Sequence, residues 1–132
     1  MIKYYLDTSI LLDFYEKRGI NSEIALVLIN KIIKSDILVI YSDLHILELK
    51  KLGYNREEIK CIINIAENNK IVHINKAQAE EGRRMQKYIK ISYRDILHAL
   101  IARDNEAILI YTDKHFEKLK YLIEIKKSQE LI

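Results

Sequence analysis

Short apolar runs alternate along the chain with longer segments of helical periodicity, and this alternation constrains the fold more than any other feature. The apolar runs are 2–6, 37–42, 70–74, 107–112 and 121–125. The segments with helical spacing are 9–17, 22–35, 43–53, 55–69, 75–90, 92–105 and 113–119. Strands separated by helices pair in parallel and are covered on both faces. The pattern therefore predicts an α/β fold, a three-layer α/β/α domain with a mostly parallel sheet of about five strands.

Chain length and composition favour a single domain over residues 1–132 in a cytoplasmic protein. No apolar run is long enough to cross a bilayer, and the N-terminus lacks a signal-peptide pattern, so no membrane partner is expected. The single cysteine, Cys61, cannot form an internal disulfide and is expected as a small core residue, in agreement with a reducing compartment. A net charge of +3 is compatible with a polyanionic partner without requiring one.

Four acidic residues lie at the start or edge of apolar elements. Asp7 directly follows the first predicted strand, and Asp113 follows the run 107–112. Glu48 and Asp95 fall within helical segments that are otherwise largely apolar. Sites in parallel sheets lie at the carboxyl ends of the strands, where the strand order switches. Asp7 and Asp113 are therefore expected in one crevice if their strands are neighbours or flank the switch point.

Each of these acids also has a purely structural interpretation. Asp7 and Asp113 could cap the helices that follow them. Asp95 falls at the third helical position after Ser92, where acids are favoured in a capping box without any function. Glu48 could form a surface pair with the lysine three residues further on. One such acid would carry little weight, but four of them together favour a shared site.

Metal-assisted hydrolysis is the chemistry that requires such a group of carboxylates. Carboxylates packed together raise one another's pKa, and a hard divalent ion removes that penalty. Mg²⁺ and Mn²⁺ prefer oxygen ligands, and either ion can polarise a phosphate and activate a water molecule. The hydroxyls of Thr8, Ser9 and Thr112 are near the acids in sequence and could orient ligands or waters around them. Arg94, beside Asp95, is a candidate for a phosphate contact.

Four segments resemble, in chain order, the motifs of PIN domains. "YYLDTSILLDFYE" is similar to the opening strand, acid, hydroxyl pair and helix of that family. "HILELKKLG" resembles the helix that carries the glutamate, and "YRDILHALIA" resembles the helix led by the third acid. "ILIYTDKHFEKL" looks like the closing strand and its turn. The resemblance extends over essentially the whole chain.

This resemblance implies a Mg²⁺- or Mn²⁺-dependent ribonuclease that hydrolyses RNA. By match to the motifs, Asp7, Glu48, Asp95 and Asp113 would be the acidic quartet that holds the metal. The small size resembles the VapC-type toxins, which commonly form homodimers and whose antitoxin covers the active site. RNA, an antitoxin protein and a second copy of the chain are thus the partners that the resemblance implies.

The final motif departs from the family pattern at two positions. Tyr111 stands where the family has a threonine, with Thr112 following it, and His115 replaces the next acid of the turn. These departures leave two alternatives open. One is a catalytically weak PIN-fold module that binds RNA or protein. The other is an unrelated α/β domain whose acids serve only as caps.

Two histidines lie one helical turn from an acid. His45 precedes Glu48 by three residues, and His98 follows Asp95 by three. Acid–histidine pairs at this spacing bind di-iron centres in helical bundles. The strand patterns argue against a bundle, and we interpret both histidines as packed or surface residues.

Overall fold

The computed structural model describes residues 1–131, except for the side chain of His115. Within that range the strands are β1 (Ile2–Leu6), β2 (Ile37–Ser42), β3 (Asn69–Val72), β4 (Ile108–Tyr111) and β5 (Ile125–Lys127). The α-helices are α1 (Thr8–Tyr15), α2 (Asn21–Ile33), α3 (Asp43–Lys51), α4 (Arg56–Ile63), α5 (Lys76–Gln86) and α6 (Tyr93–Asp104). Short 3₁₀ helices cover Lys114–Leu119 and Ser128–Leu131. None of the described helices is long and apolar enough to span a bilayer.

The strands form one sheet in the order β3-β2-β1-β4-β5, and every neighbouring pair is parallel. The predicted three-layer α/β/α architecture with a parallel sheet is therefore confirmed. The chain builds outward from β1 through β2 to β3 and then crosses to the other side of β1 to add β4. The switch in strand order thus falls between β1 and β4, whose register pairs Leu6 with Ile110.

A separate apolar core covers each face of the sheet. The neighbouring residues Tyr5 and Leu6 on β1 are both fully buried, but they belong to different cores. This follows from the alternation of side chains along a strand. The core containing Leu6 is built with α1, α2 and α4, whereas the core containing Tyr5 is built mainly with α6 and the 3₁₀ helix at 114–119. Helix α3 contributes to both cores, through Leu49 on one side and Leu44 on the other.

The sequence prediction of the last strand was wrong in position. The run 121–125 is apolar because Ile123 packs into a core, and the paired residues are Ile125–Lys127 instead. An apolar run alone does not distinguish a buried turn from a strand.

Cys61 is exposed rather than buried. Helix α4 buries Ile59, Ile62 and Ile63, and Cys61 falls on the opposite face of that helix.

Helices α5 and α6 approach closely at a glycine. A Cβ atom at Gly82 would lie 3.0 Å from Cε1 of Tyr93 and 3.2 Å from Cδ2 of Leu97. The Tyr93 hydroxyl also donates a hydrogen bond to the Ala79 carbonyl oxygen at 3.0 Å. Gly82 therefore fixes how α5 packs against α6, the helix that carries Asp95.

We expect Gly82→Ala to lower the free energy of unfolding by about 1–2 kcal/mol, because the added methyl group overpacks this contact. Alanine at an unconstrained helical position would instead raise stability by about 1 kcal/mol. Urea denaturation of both proteins measures the difference, with Glu80→Ala on the exposed face of α5 as the control. A Gly82→Ala variant more stable than the wild type would contradict this account of the contact.

Candidate metal centre

The four acidic side chains singled out by the sequence line one small cavity of about 100 Å³ at the carboxyl edge of the sheet. Asp7 follows β1 and Asp113 follows β4, and these strands are neighbours at the switch in strand order. Helix α3 begins directly after β2 and brings in Glu48, while α6 brings in Asp95. The remaining lining residues are Thr8, Ser9, His98 and Phe116.

Asp7 caps α1 and forms a wall of the cavity at the same time. Its Oδ1 accepts hydrogen bonds from the backbone N–H groups of Ser9 at 2.7 Å and Ile10 at 3.3 Å. Its Oδ2 accepts a hydrogen bond from the backbone N–H of Thr112 at 3.2 Å. The side chain is almost fully buried, and burial raises the pKa of Asp7 to about 6 although these three hydrogen bonds oppose the shift. The capping interpretation of Asp7 is thus correct and does not exclude a role in the cavity.

Glu48 is held through one carboxylate oxygen. Its Oε1 accepts hydrogen bonds from the Thr8 hydroxyl at 2.7 Å and from Nε2 of His98 at 2.8 Å. Its Oε2 lies 3.4 Å from Nη1 of Arg94. Burial would raise the pKa of Glu48, but the hydrogen bond and charge of His98 and the hydrogen bond from Thr8 together lower it to about 2. Glu48 is therefore a carboxylate at neutral pH.

Asp95 and Asp113 complete the acidic wall. The backbone N–H of Asp95 donates to the Ser92 hydroxyl at 3.2 Å, so Ser92 caps α6 as the sequence predicts, and the Asp95 side chain is half-buried. Asp113 is exposed, and its carbonyl oxygen accepts a hydrogen bond from the backbone N–H of Phe116 at 3.3 Å. Both side chains reach the cavity, and both segments also have the local turn structure expected of caps.

The three hydroxyl residues predicted to support the acids do so in different ways. Thr8 contacts Glu48 through its side-chain hydroxyl. Ser9 and Thr112 contact Asp7 through their backbone N–H groups instead. Arg94, the candidate for a phosphate contact, is exposed at the rim and directed at Glu48.

His98 is the residue at this site whose interactions the sequence interpretation missed. Its side chain is almost fully buried and donates to Glu48, rather than merely packing or facing solvent. The relevant signal was present in the sequence, since His98 interrupts an apolar segment of α6 that is buried from Ile96 to Ala102. A histidine inside such a segment needs hydrogen-bond partners for both ring nitrogens.

The chemistry of the donor groups fits a hard divalent cation, since four carboxylates supply the oxygen ligands that Mg²⁺ and Mn²⁺ prefer. In the part of the chain that the structure describes, no three His, Cys, Asp or Glu side chains are positioned to hold a metal ion without adjustment. The hydrogen bonds above explain part of this. Glu48 is engaged by His98, Thr8 and Arg94, and Asp7 is engaged by its backbone donors. An ion would have to replace Arg94 at Oε2 of Glu48.

The PIN domain family model matches residues 4–121. The chain therefore belongs to the PIN domain family, as its four motifs predict. None of the curated proteins shows a significant match in sequence.

Several solved structures share the fold. VapBC2 from Rickettsia felis, bound to a DNA fragment from its promoter, is similar with a TM-score of 0.71 and 18% identity, and the match covers 96% of this chain and 98% of that one. A toxin–antitoxin complex from Klebsiella pneumoniae has a TM-score of 0.67 and 14% identity, with 95% and 97% of the two chains covered. VapBC-5 from Mycobacterium tuberculosis has a TM-score of 0.57 and 14% identity over 96% and 98% of the two chains.

The burial of Asp7 predicts a stability cost in the absence of metal. The pKa of this carboxyl is about 6 in the folded chain and 3.8 when unperturbed, so the native state binds more protons between these values. Stability from this group is thus fully present below pH 3.8 and is lost as pH rises through about 6. We expect this group to lower the free energy of unfolding of the wild type by about 2–3 kcal/mol as the pH rises from below 3.8 to above 6. This fall in stability should be missing in Asp7→Asn.

Urea denaturation across this pH range, in the presence of a chelator, measures the difference between the two proteins. Asp36→Asn, which neutralises an exposed acid just before β2, is the control and should follow the wild type. Parallel stability curves for wild type and Asp7→Asn would show that Asp7 is not penalised by burial.

Proposed function

We propose that this chain is a divalent-metal-dependent endoribonuclease and the toxin of a toxin–antitoxin pair. One observation supports this above all others, namely that four carboxylates line a single cavity at the switch point of a PIN-family sheet. Asp7, Glu48 and Asp95 would hold Mg²⁺ or Mn²⁺, and Asp113 would assist directly or through a water molecule. The proposal treats residues 1–132 as a single domain.

Each group in the cavity has a defined task in this mechanism. A bound divalent cation supplies a Lewis acid that polarises the scissile phosphate and lowers the pKa of a water nucleophile. The backbone donors of Ser9, Ile10 and Thr112 hold Asp7 as a carboxylate facing the cavity. His98 and Thr8 hold Oε1 of Glu48, which leaves Oε2 available as a ligand. Arg94, once released from Glu48, is placed at the rim where an RNA phosphate would enter.

Two further observations support protein partners. The similar structures from K. pneumoniae and M. tuberculosis are a toxin–antitoxin complex and a member of a family of toxin–antitoxin systems, although identity below 20% transfers only the fold. Helix α2 and the residue before it expose large apolar side chains, with Ile20 91%, Leu26 48% and Val27 49% exposed. An antitoxin or a second copy of the chain could cover such a surface.

A catalytically weak PIN-fold module that binds RNA or protein is the second candidate. It is favoured by the departures at Tyr111 and His115 and by the absence, among the described residues, of three ligands already positioned for an ion. This candidate predicts RNA or partner binding without cleavage at any concentration of Mg²⁺ or Mn²⁺.

Cleavage of labelled RNA by the purified chain tests the nuclease directly. We expect cleavage that requires Mg²⁺ or Mn²⁺, stops with a chelator, and falls to background in Asp95→Asn because a metal ligand is lost. Asp36→Asn, at the amino end of the sheet, should cleave like the wild type. Circular dichroism establishes that both variants fold.

The outcomes separate the candidates. RNA binding without cleavage would favour the binding module. Undiminished cleavage by Asp95→Asn would contradict the assignment of the acidic cavity as the active site. An absence of both binding and cleavage over a range of RNA sequences would contradict both candidates.

The position of Arg94 predicts that replacing it weakens RNA binding without weakening metal binding. Its guanidinium lies 3.4 Å from Oε2 of Glu48 and so competes with a cation at that oxygen. Arg94→Gln should therefore bind Mn²⁺ at least as tightly as the wild type. The same change should raise KM for RNA with little change in kcat. It should also make the logarithm of the RNA-binding constant fall less steeply with the logarithm of salt concentration, by about the amount expected for one lost phosphate contact.

Arg56→Gln is a matched control, because Arg56 is an exposed arginine at the start of α4, and among the described ion pairs Glu48 is paired with Arg94 and not with Arg56. Calorimetric Mn²⁺ titration and steady-state kinetics at two salt concentrations supply the two measurements. Loss of Mn²⁺ affinity in Arg94→Gln would contradict competition at Glu48. An unchanged KM would contradict the phosphate contact.

A further inference from the structure

A chain of buried hydrogen bonds runs from Glu48 into the protein core. Nε2 of His98 donates to Oε1 of Glu48 at 2.8 Å, and Nδ1 of His98 lies 2.5 Å from the Tyr5 hydroxyl. The Tyr5 hydroxyl lies 2.7 Å from Oγ of Ser42. Tyr5 and Ser42 are fully buried, and His98 is 2% exposed. Burying so many polar groups is costly unless each of them is paired.

The carboxylate of Glu48 determines the direction of the hydrogen bond at the site end of this chain. A carboxylate only accepts, so Nε2 of His98 carries the proton donated to Glu48. Nδ1 of His98 is paired with the Tyr5 hydroxyl, which is paired in turn with the Ser42 hydroxyl. His45 extends the network, since its Nδ1 accepts from the Ser42 backbone N–H at 3.0 Å and its Nε2 donates to the Leu6 carbonyl oxygen at 2.7 Å.

The network joins the segments that carry the acids. Tyr5 lies on β1 two residues before Asp7. His45 lies on α3 one turn before Glu48, and His98 lies on α6 one turn after Asp95. The positions of three acids are thus linked through side chains that meet in the core, with ring centroids of His45 and His98 5.0 Å apart.

Oε1 and Oε2 of Glu48 have different surroundings. Oε1 accepts from two donors, His98 at 2.8 Å and Thr8 at 2.7 Å. Oε2 has the longer contact of 3.4 Å to Arg94 and belongs to a side chain that lines the cavity. Donors that occupy one oxygen fix the rotamer of the carboxylate and so determine where the other oxygen lies.

We propose that His98 is a positioning residue for the metal site, fixing Glu48 so that Oε2 is presented to a cation, and that Tyr5 acts on the site by fixing His98. This inference rests on the proposed function, because it concerns how the acidic cavity binds its metal. A network that served only to stabilise the core would affect unfolding without altering the metal affinity of the folded protein.

Calorimetric titration with Mn²⁺ distinguishes these roles in the folded full-length chain. His98→Leu removes the donor while keeping an apolar volume, and we expect it to weaken Mn²⁺ binding about 10- to 100-fold. His98→Gln keeps an N–H donor at a similar reach and should restore most of the affinity. Tyr5→Phe removes only the hydroxyl that orients His98 and should cause a smaller loss.

The double variant provides the most specific readout. Because Tyr5 acts through His98, Tyr5→Phe should add no further loss of Mn²⁺ affinity in a His98→Leu background. Thermal denaturation of each variant establishes that it is folded at the temperature of titration. If His98→Leu does not fold, the comparison of Tyr5→Phe with the wild type decides the question, because that variant is expected to bind Mn²⁺ more weakly.

Wild-type Mn²⁺ affinity in His98→Leu, or in Tyr5→Phe if His98→Leu does not fold, would overturn the positioning role while leaving the proposed nuclease intact. Additive losses from Tyr5 and His98 would overturn the claim that Tyr5 acts through His98. Mn²⁺ binding that follows the expected order, in a protein that cleaves no RNA, would support the positioning role and contradict the proposed nuclease. A wild type that binds no Mn²⁺ would overturn both.

Discussion

The buried carboxylate of Asp7 at the end of the central strand is the constraint on which the rest of the site depends. Strand β1 pairs with β2 on one side and β4 on the other, so the residue that follows it lies at the middle of the sheet edge. Three backbone N–H groups hold its oxygens, from Ser9, Ile10 and Thr112. Asp7 therefore joins the start of α1 to the end of β4. Burial opposes its ionised form, and a divalent cation would remove that penalty.

A buried polar network lies behind the acidic cavity. The core that contains Tyr5 borders a polar network in which Ser42, His45 and His98 are all paired. Burial and the nearby His98 lower the pKa of His45 to about 3, so it stays neutral and acts as a fixed connector. Such a network gives a site made of mutually repelling acids a rigid support.

Sequence reasoning recovered the features that depend on local patterns. The strands 2–6 and 37–42 were predicted at their observed bounds, because these largely apolar runs are too short to be helices. The four acids that line the cavity were also identified, since each sits at a recognisable edge of an element. The contact between Tyr5 and His98 could not be predicted from the sequence, because it joins residues 93 positions apart and depends on β1 lying beneath α6. The last strand was misplaced because the apolar character of Ile123 comes from core packing and not from strand pairing.

The central claim is that the acidic cavity between β1 and β4 is a metal site. Anomalous diffraction from crystals soaked in Mn²⁺ tests it most directly, because the signal locates the ion without reference to activity. The account predicts a peak in the cavity with carboxylate oxygens of Asp7, Glu48 and Asp95 at Mn²⁺ coordination distance, and with Arg94 displaced from Glu48. A fully soaked crystal with no peak in this cavity, or with a peak only at other residues, would contradict the claim.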